Sequence, residues 1–149
     1  MATEFRLQSI LDYRTKLAER LRLELSALQA RCAEEEGRLE GLRLAEQAAV
    51  TQLSVPKDGV VAMFEVVQVT DHLDTLRERI ADQTVILRQL VAEAQQQLER
   101  VVAANQEVKA LEKLREKHQA EIAEQTRRQE RAEMGEIAML QFRRAGVAS

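Results

Sequence analysis

The side chains best suited to catalysis or metal binding are few in this sequence. They are two histidines, His72 and His118, and one cysteine, Cys32. Transition metals need several His, Cys or carboxylate ligands close together, and neither histidine has such residues at the spacing of a metal-binding motif. We therefore expect no metal site, two solvent-facing or rim histidines, and a cysteine that packs as a small hydrophobic residue.

Acid–base and nucleophilic catalysis have no better support in the sequence. Asp and Glu number 25, but a helical pattern places them on solvated faces, where no concave pocket shelters them from water. The chain contains no glycine-rich phosphate-binding loop, no zinc-protease motif and no nucleophile elbow. These features predict a protein that is not an enzyme, with no catalytic residues and no cofactor.

The composition indicates which elements carry the remaining side chains. The chain has no Trp, one Tyr and three Phe, whereas charged residues make up 32% of it. Aromatic residues supply the largest buried areas of compact cores, and a chain rich in Ala, Glu, Leu and Arg is typical of coiled coils and long helices. We therefore expect a thin helix–helix interface.

A first helix is predicted by a series of apolar residues at alternating intervals of three and four, as in coiled coils. The series has fourteen positions, of which eleven are apolar, and it ends just before Pro56, the only proline. Proline disrupts a helix interior, so the helix must stop near this residue. We call the fourteen positions seam one: Leu7, Leu11, Arg14, Ala18, Leu21, Leu25, Leu28, Cys32, Glu35, Leu39, Leu42, Glu46, Ala49 and Leu53.

A second series follows Gly59, and eleven of its thirteen positions are apolar. Continued at the same spacing from Arg115 to Arg143, it meets only three apolar residues in nine positions. The helical composition therefore persists after the apolar pattern has ended. We call the thirteen positions seam two: Val69, Leu73, Leu76, Ile80, Gln83, Leu87, Leu90, Ala94, Gln97, Val101, Ala104, Val108 and Leu111.

The off-centre break between the seams predicts a helical hairpin. If the chain reverses near residue 58, residue i faces about residue 116 − i, and Phe5 faces Leu111. The beginning of the first helix then lies opposite the residues at which seam two ends. The expected fold is all-α, a single coiled-coil domain over residues 1–149, built as a long antiparallel two-helix hairpin. Its parts are helix one (about 3–54), the turn (about 55–60) and helix two (about 61–144), whose last ~30 residues extend unpaired beyond helix one.

Two apolar segments exceed what a two-helix seam requires. The segment VVAMFEVVQV at residues 60–69 has eight apolar residues in ten, so Met63, Phe64 and Val67 cannot all face helix one. They either cap the open end of the hairpin or form an exposed patch that marks a binding site. The segment EIAMLQFRR at residues 136–144 carries Ile137, Met139, Leu140 and Phe142 among charges. It either binds a partner or folds back.

Charge and hydropathy narrow the classes of partner. The net charge is −3, and the sequence has neither a basic block nor an aromatic stacking platform, so we expect no nucleic acid. The longest apolar run, VVAMF at residues 60–64, is far shorter than the ~20 residues that span a bilayer. The first residues show no signal peptide. We therefore expect a cytoplasmic protein without direct membrane insertion.

The two ends of the chain resemble the FliJ family of flagellar type III export proteins, and more distantly the YscO-like proteins of virulence secretion systems. The resemblance rests on EFRLQSILDYR at residues 4–14, with Phe5, Leu7, Leu11 and Arg14, and on ERAEMGEIAMLQFRR at residues 130–144. It also includes KALEKLREK at residues 109–117. Gly135 departs from the family pattern, which has a stronger helix former there.

The resemblance implies an antiparallel two-helix coiled coil in flagellum biogenesis and motility, similar to the stalk subunit of rotary ATPases. Its implied partners are a hexameric export ATPase, the membrane export gate and export chaperones, which it escorts. The implied location is cytoplasmic and peripheral to the inner membrane. On this reading the chain is a non-enzymatic stalk and adaptor, and a monomer when free. The residues expected to bind partners are Ile137, Leu140, Phe142 and Arg143, and secondarily Met63, Phe64 and Val67.

Two other interpretations remain open. The chain could be a structural coiled coil that assembles only with itself, using the outward glycines Gly37 and Gly41 and the apolar segment at residues 60–69 as contacts. A weaker alternative is a chaperone that holds client proteins with that same segment.

Overall fold

The computed structural model describes residues 4–56 and 59–148. Within them the chain forms two α-helices, α1 at Gln8–Ser54 with 47 residues and α2 at Val60–Ala148 with 89 residues. No strand occurs in these described ranges, and the two helices pack against each other. The predicted all-α helical hairpin is thus confirmed.

The helix bounds differ from the expected ones at both termini. α1 begins at Gln8 rather than near residue 3, because the residues just before it form a turn in which the Gln8 amide donates to the Phe5 carbonyl at 3.1 Å. α2 continues to Ala148, past the stop expected at residue 144. A single glycine costs a helix only about 1 kcal/mol relative to alanine, so Gly146 between alanine and valine does not end it.

The turn combines a proline with a glycine in a left-handed conformation. α1 ends at Ser54, two residues before Pro56, and α2 follows Gly59, whose φ is +96°. Residues that carry a side chain rarely adopt this backbone angle, so glycine suits the position. The Gly59 carbonyl accepts a hydrogen bond from the Met63 amide at 3.3 Å and so begins α2. Lys57 and Asp58, inside the expected turn, lie outside the described residues.

Contacts group the chain into two compact units, which we describe separately. The hairpin unit comprises Glu19–Val102, and the terminal unit comprises Met1–Ala18 with Ala103–Ser149. The expectation of one coiled-coil domain stays a prediction. In both units, every position of seam one and seam two is buried or half-buried.

The hairpin unit has an apolar cluster beside the turn. Its buried members are Ala49, Val69, Leu73 and Leu76, and three half-buried residues pack against them, namely Leu42, Ala45 and Leu53. All seven come from α1 or from the first part of α2, and six of them are seam positions. Removal of these side chains from water is the main stabilising term for a helix pair of this kind.

Two glutamines of seam two bridge the helices of the hairpin unit. Gln97 is only 5% exposed, and its Nε2 donates to the Leu21 carbonyl and to Glu24 Oε2, both at 3.1 Å. Gln83 Nε2 donates to the Glu35 carbonyl at 3.1 Å and to the Glu35 carboxylate. Both pairs centre the chain reversal on residue 59, one residue beyond the expected position.

A buried amide in a coiled-coil seam lowers stability but specifies the register. We therefore expect Gln97→Leu to raise the free energy of unfolding by about 1 kcal/mol, because a leucine of similar volume replaces a desolvated amide. Urea unfolding followed by circular dichroism measures the change. Gln96→Leu, on the exposed side of the same helix, is the control. A loss of stability in Gln97→Leu alone would show that the two hydrogen bonds outweigh the desolvation.

The terminal unit pairs the start of the chain with α2. Arg14 Nη1 lies 2.8 Å from Glu107 Oε2, and the Phe5 and His118 rings are 5.8 Å apart between centroids. Phe5, which the sequence places in the region of Leu111, contacts α2 seven residues further along, at His118. Most of this offset is already present inside α1, because Arg14 meets Glu107 rather than residue 102, and the remainder falls in the turn that precedes the helix.

Candidate partner-binding surfaces

The three residues best suited to catalysis or metal binding are far apart in the sequence and differ in how buried they are. His72 is exposed, and Cys32 is half-buried at its position in seam one. His118 is half-buried in the terminal unit, and its buried Nε2 has no hydrogen-bond partner among the described residues. Across residues 4–56 and 59–148, no group of three or more His, Cys, Asp or Glu side chains is placed to hold a metal ion.

The C-terminal part of α2 is the largest unpacked element that the structure describes. Partial burial along α2 continues to Glu124, and every residue from 125 to 146 is exposed. This stretch is nevertheless helical throughout, including at Gly135. An isolated helix is marginal in water because most helical stability comes from packing one of its faces.

Apolar side chains in this stretch occur on two sides of the helix. We call Ile137, Met139, Leu140, Phe142 and Arg143 the tail surface. Helical spacing puts Met139 and Phe142 on one side and Ile137 and Leu140 on nearly the opposite side. Phe142 is 81% exposed and the other three apolar members are at least half exposed. Between these two sides, a depression of about 260 Å³ is lined by Glu136, Met139, Leu140 and Arg143, since the neighbours Met139 and Leu140 are only about 100° apart around the helix.

A helix with apolar residues on one side fits a groove, whereas one with apolar residues on both sides fits an enclosing site. Full burial of a Leu, Ile, Met or Phe side chain contributes about 1.5–3 kcal/mol, so the four members together could support specific binding. The guanidinium of Arg143 adds N–H donors that suit a carboxylate of a partner. The tail surface can therefore bind protein, but it has no pocket for chemistry on a small molecule.

A second apolar patch lies at the start of α2 in the hairpin unit. Met63, Phe64 and Val67, which we call the tip surface, are 66%, 64% and 52% exposed. Their spacing puts them side by side on a face that does not point toward seam two. Of the two alternatives that the sequence leaves open, the structure has the exposed patch rather than the cap.

Two exposed apolar residues beside these surfaces were not among the expected binding residues. Met134 is 67% exposed, three residues before Ile137, and Val55 is 54% exposed, just before Pro56. Spacing of three could have identified Met134 as a neighbour of Ile137 on the helix. Nothing in the periodicity identifies Val55, because it lies outside both helices. Gly37 and Gly41 face open space, as their outward positions on α1 predict.

Comparison with protein families matches residues 3–146 to the family described as Flagellar FliJ protein. The chain belongs to the FliJ family. The match covers nearly the whole chain, which confirms the resemblance seen in the sequence and makes this a protein related to flagellar type III export. No curated protein and no solved structure matches the chain.

Two of the three segments that carry the FliJ resemblance lie side by side in the terminal unit, whereas the third, at residues 130–144, is exposed. Residues 4–14 and 109–117 come from opposite ends of the chain, and Arg14 and Phe5 contact α2 on either side of the second segment, at Glu107 and His118. Over the described residues, neither helix of this FliJ protein has a stretch apolar enough to cross a lipid bilayer. The FliJ family is associated with export structures and is not a known enzyme family.

Proposed function

We propose that this chain is a non-enzymatic stalk and adaptor of the flagellar type III export apparatus. In this proposal the paired helices form the stalk, and the tail surface engages the ring of a hexameric export ATPase. The observation that carries the proposal is the exposed helix from residue 125 to residue 146, which presents apolar side chains on two sides. A ring encloses a helix and can cover both sides, which a groove in one partner cannot.

The tip surface has a separate role in this proposal. Met63, Phe64 and Val67 belong to the hairpin unit, whereas the tail surface belongs to the terminal unit. Distinct surfaces in distinct units allow one chain to bind two partners. We assign the tip surface to the membrane export gate or to export chaperones, which places the protein in the cytoplasm, peripheral to the inner membrane.

The test is a pull-down with the full chain and with a truncation that lacks residues 130–149. The truncation removes only exposed residues over the described range, so we expect its helical content per residue and its solubility to be unchanged. The full chain should retain a hexameric ATPase from the cytoplasm of a flagellated bacterium, and the truncation should lose most of it. Quantitative mass spectrometry of the retained proteins measures both.

Each negative outcome has its own meaning. Equal retention of the ATPase by both proteins would show that the tail surface is the wrong assignment. Retention by neither would contradict the stalk role. The competing interpretation is a scaffold that assembles only with itself, and open-ended assemblies that grow with protein concentration would support it. A closed oligomer of fixed size would not, because scaffolds need contacts that do not close.

A further inference from the structure

A second heptad-like series runs along α2, outside seam two. It passes through Thr84, Arg88, Val91, Gln95, Leu98 and Val102, which we call the outer stripe. The intervals alternate between four and three, as they do in a seam that packs against another helix. Its three apolar members are exposed, Val91 by 50%, Leu98 by 41% and Val102 by 46%.

The outer stripe borders an apolar groove of the hairpin unit. Val91, Gln95 and Leu98 form one wall of a groove of about 290 Å³, and Gln29, Ala33 and Glu36 of α1 belong to the opposite wall. Small side chains, Cys32 and Ala94, lie between the two walls. Such a groove can accept a side chain from a third helix that packs along the outer stripe.

The residues of the outer stripe are arranged symmetrically about Gln95. Val91 lies four residues before Gln95 and Leu98 three residues after it, while Arg88 and Val102 are each seven residues away. An antiparallel helix related by a twofold axis through Gln95 therefore places Val91 beside Leu98 and the stem of Arg88 beside Val102, each pair twice. This is the self-complementarity that an isologous interface requires.

The charged residues beside the outer stripe also fit a twofold axis through Gln95. Arg88 and Glu99 are exposed on the side of the stripe away from the groove, and neither forms an ion pair with any residue that the structure describes. A perpendicular twofold axis keeps each flank of the stripe facing the same flank of the partner. Arg88 of one chain then lies within one helical turn of Glu99 in the other, twice per dimer. Complementary charge of this kind favours one orientation over its alternatives.

We propose that two copies of this chain pair through the outer stripe, antiparallel about Gln95, to form a closed dimer. The occupant of the groove is the α2 helix of the second copy. The few apolar residues at the contact indicate a weak dimer with a dissociation constant in the micromolar range, roughly 1–100 µM. At high concentration the dimer replaces the monomer that the sequence predicts for the free chain.

Disulfide cross-linking tests the position of the axis. In the full chain with Cys32→Ala, Gln95→Cys places a thiol on the proposed axis, and Gln96→Cys places one a residue further, on another face of the same helix. Both positions are exposed glutamines. We expect mild oxidation to cross-link Gln95→Cys at least about tenfold faster, because a disulfide needs Cα atoms within about 7 Å. Equal rates, or no cross-linking at either position, would overturn the proposal.

A charge-reversal experiment tests the orientation without depending on one variant's folding. Arg88→Glu and Glu99→Arg should each dissociate about tenfold more readily than the natural chain, because each puts like charges opposite one another. Mixed together, the two variants should form a heterodimer, since Glu faces Arg at both contacts. Sedimentation velocity over roughly 1–200 µM measures all of these.

Three outcomes would overturn the dimer. The natural chain could sediment as a monomer over the whole range, the two variants could fail to pair with each other, or larger assemblies could form in place of a closed dimer. Failure of the dimer would leave the proposed stalk role untouched, because the tail surface and the outer stripe belong to different units. Equal ATPase retention by Gln95→Cys and the natural chain would show that separation directly.

Discussion

Leu76→Ala is expected to lower the free energy of unfolding by about 2–5 kcal/mol, the range for a leucine removed from a packed core. Leu76 is 4% exposed and belongs to the cluster of Ala49, Val69 and Leu73. The variant loses the transfer free energy of the deleted carbons and leaves a cavity, and in a seam only two helices thick few neighbours can move to fill it. We expect this effect to exceed that of any substitution outside the seams.

Urea unfolding followed by circular dichroism measures the loss for Leu76→Ala. Leu23→Ala is the matched control, because Leu23 is a leucine of the same unit that is 72% exposed, and its change should stay within about 0.5 kcal/mol. Similar losses in the two variants would mean that Leu76 is not packed as the structure describes.

Phe142→Glu and Leu140→Glu should each weaken binding of the export ATPase by at least about tenfold, on the proposed function. The two side chains lie on nearly opposite sides of the helix and are 81% and 56% exposed. An enclosing partner covers both, so a buried and unpaired carboxylate on either side opposes binding. A partner with a groove would lose affinity for only one of the two variants.

Binding of the purified ATPase to each labelled variant gives the affinity, and circular dichroism confirms that each remains helical. Gln141→Glu, between the two positions, introduces the same charge without removing an apolar side chain and should change affinity much less. A loss of affinity in only one of the two apolar variants would indicate a groove rather than an enclosing ring as the binding site. Unchanged affinity in both variants would show that the tail surface does not contact the ATPase.

Much of the fold could be predicted because the spacing of apolar residues determines which positions pack in a coiled coil. The seam positions, from Leu7 to Leu111, all proved at least half-buried, since a helix pair buries whatever its period of three and four presents. The extent of the terminal unit could not be predicted this way. Phe5 contacts His118 through a stretch that is not helical, and helical periodicity carries no information about such a stretch.

The candidate surfaces were predictable only as a surplus of apolar residues. The sequence shows that Met63 and Phe142 exceed the needs of a two-helix seam, but folding back, capping and exposure use the same residues. Only burial in the folded chain separates these cases. The outer stripe was missed for a related reason, because Arg88 and Gln95 interrupt a pattern that becomes visible when exposure picks out Val91, Leu98 and Val102.

The unpacked helix from residue 125 to residue 146 has a consequence for affinity. Because these residues have no buried side chain, their helix is stabilised only by the local preferences of the chain. A partner that binds them as a helix must therefore supply the free energy that keeps them helical. Gly135 raises that requirement by about 1 kcal/mol relative to alanine. An added Cβ there would meet no atom within 4 Å. The strength of an association can thus be tuned by a residue that need not touch the associated molecule.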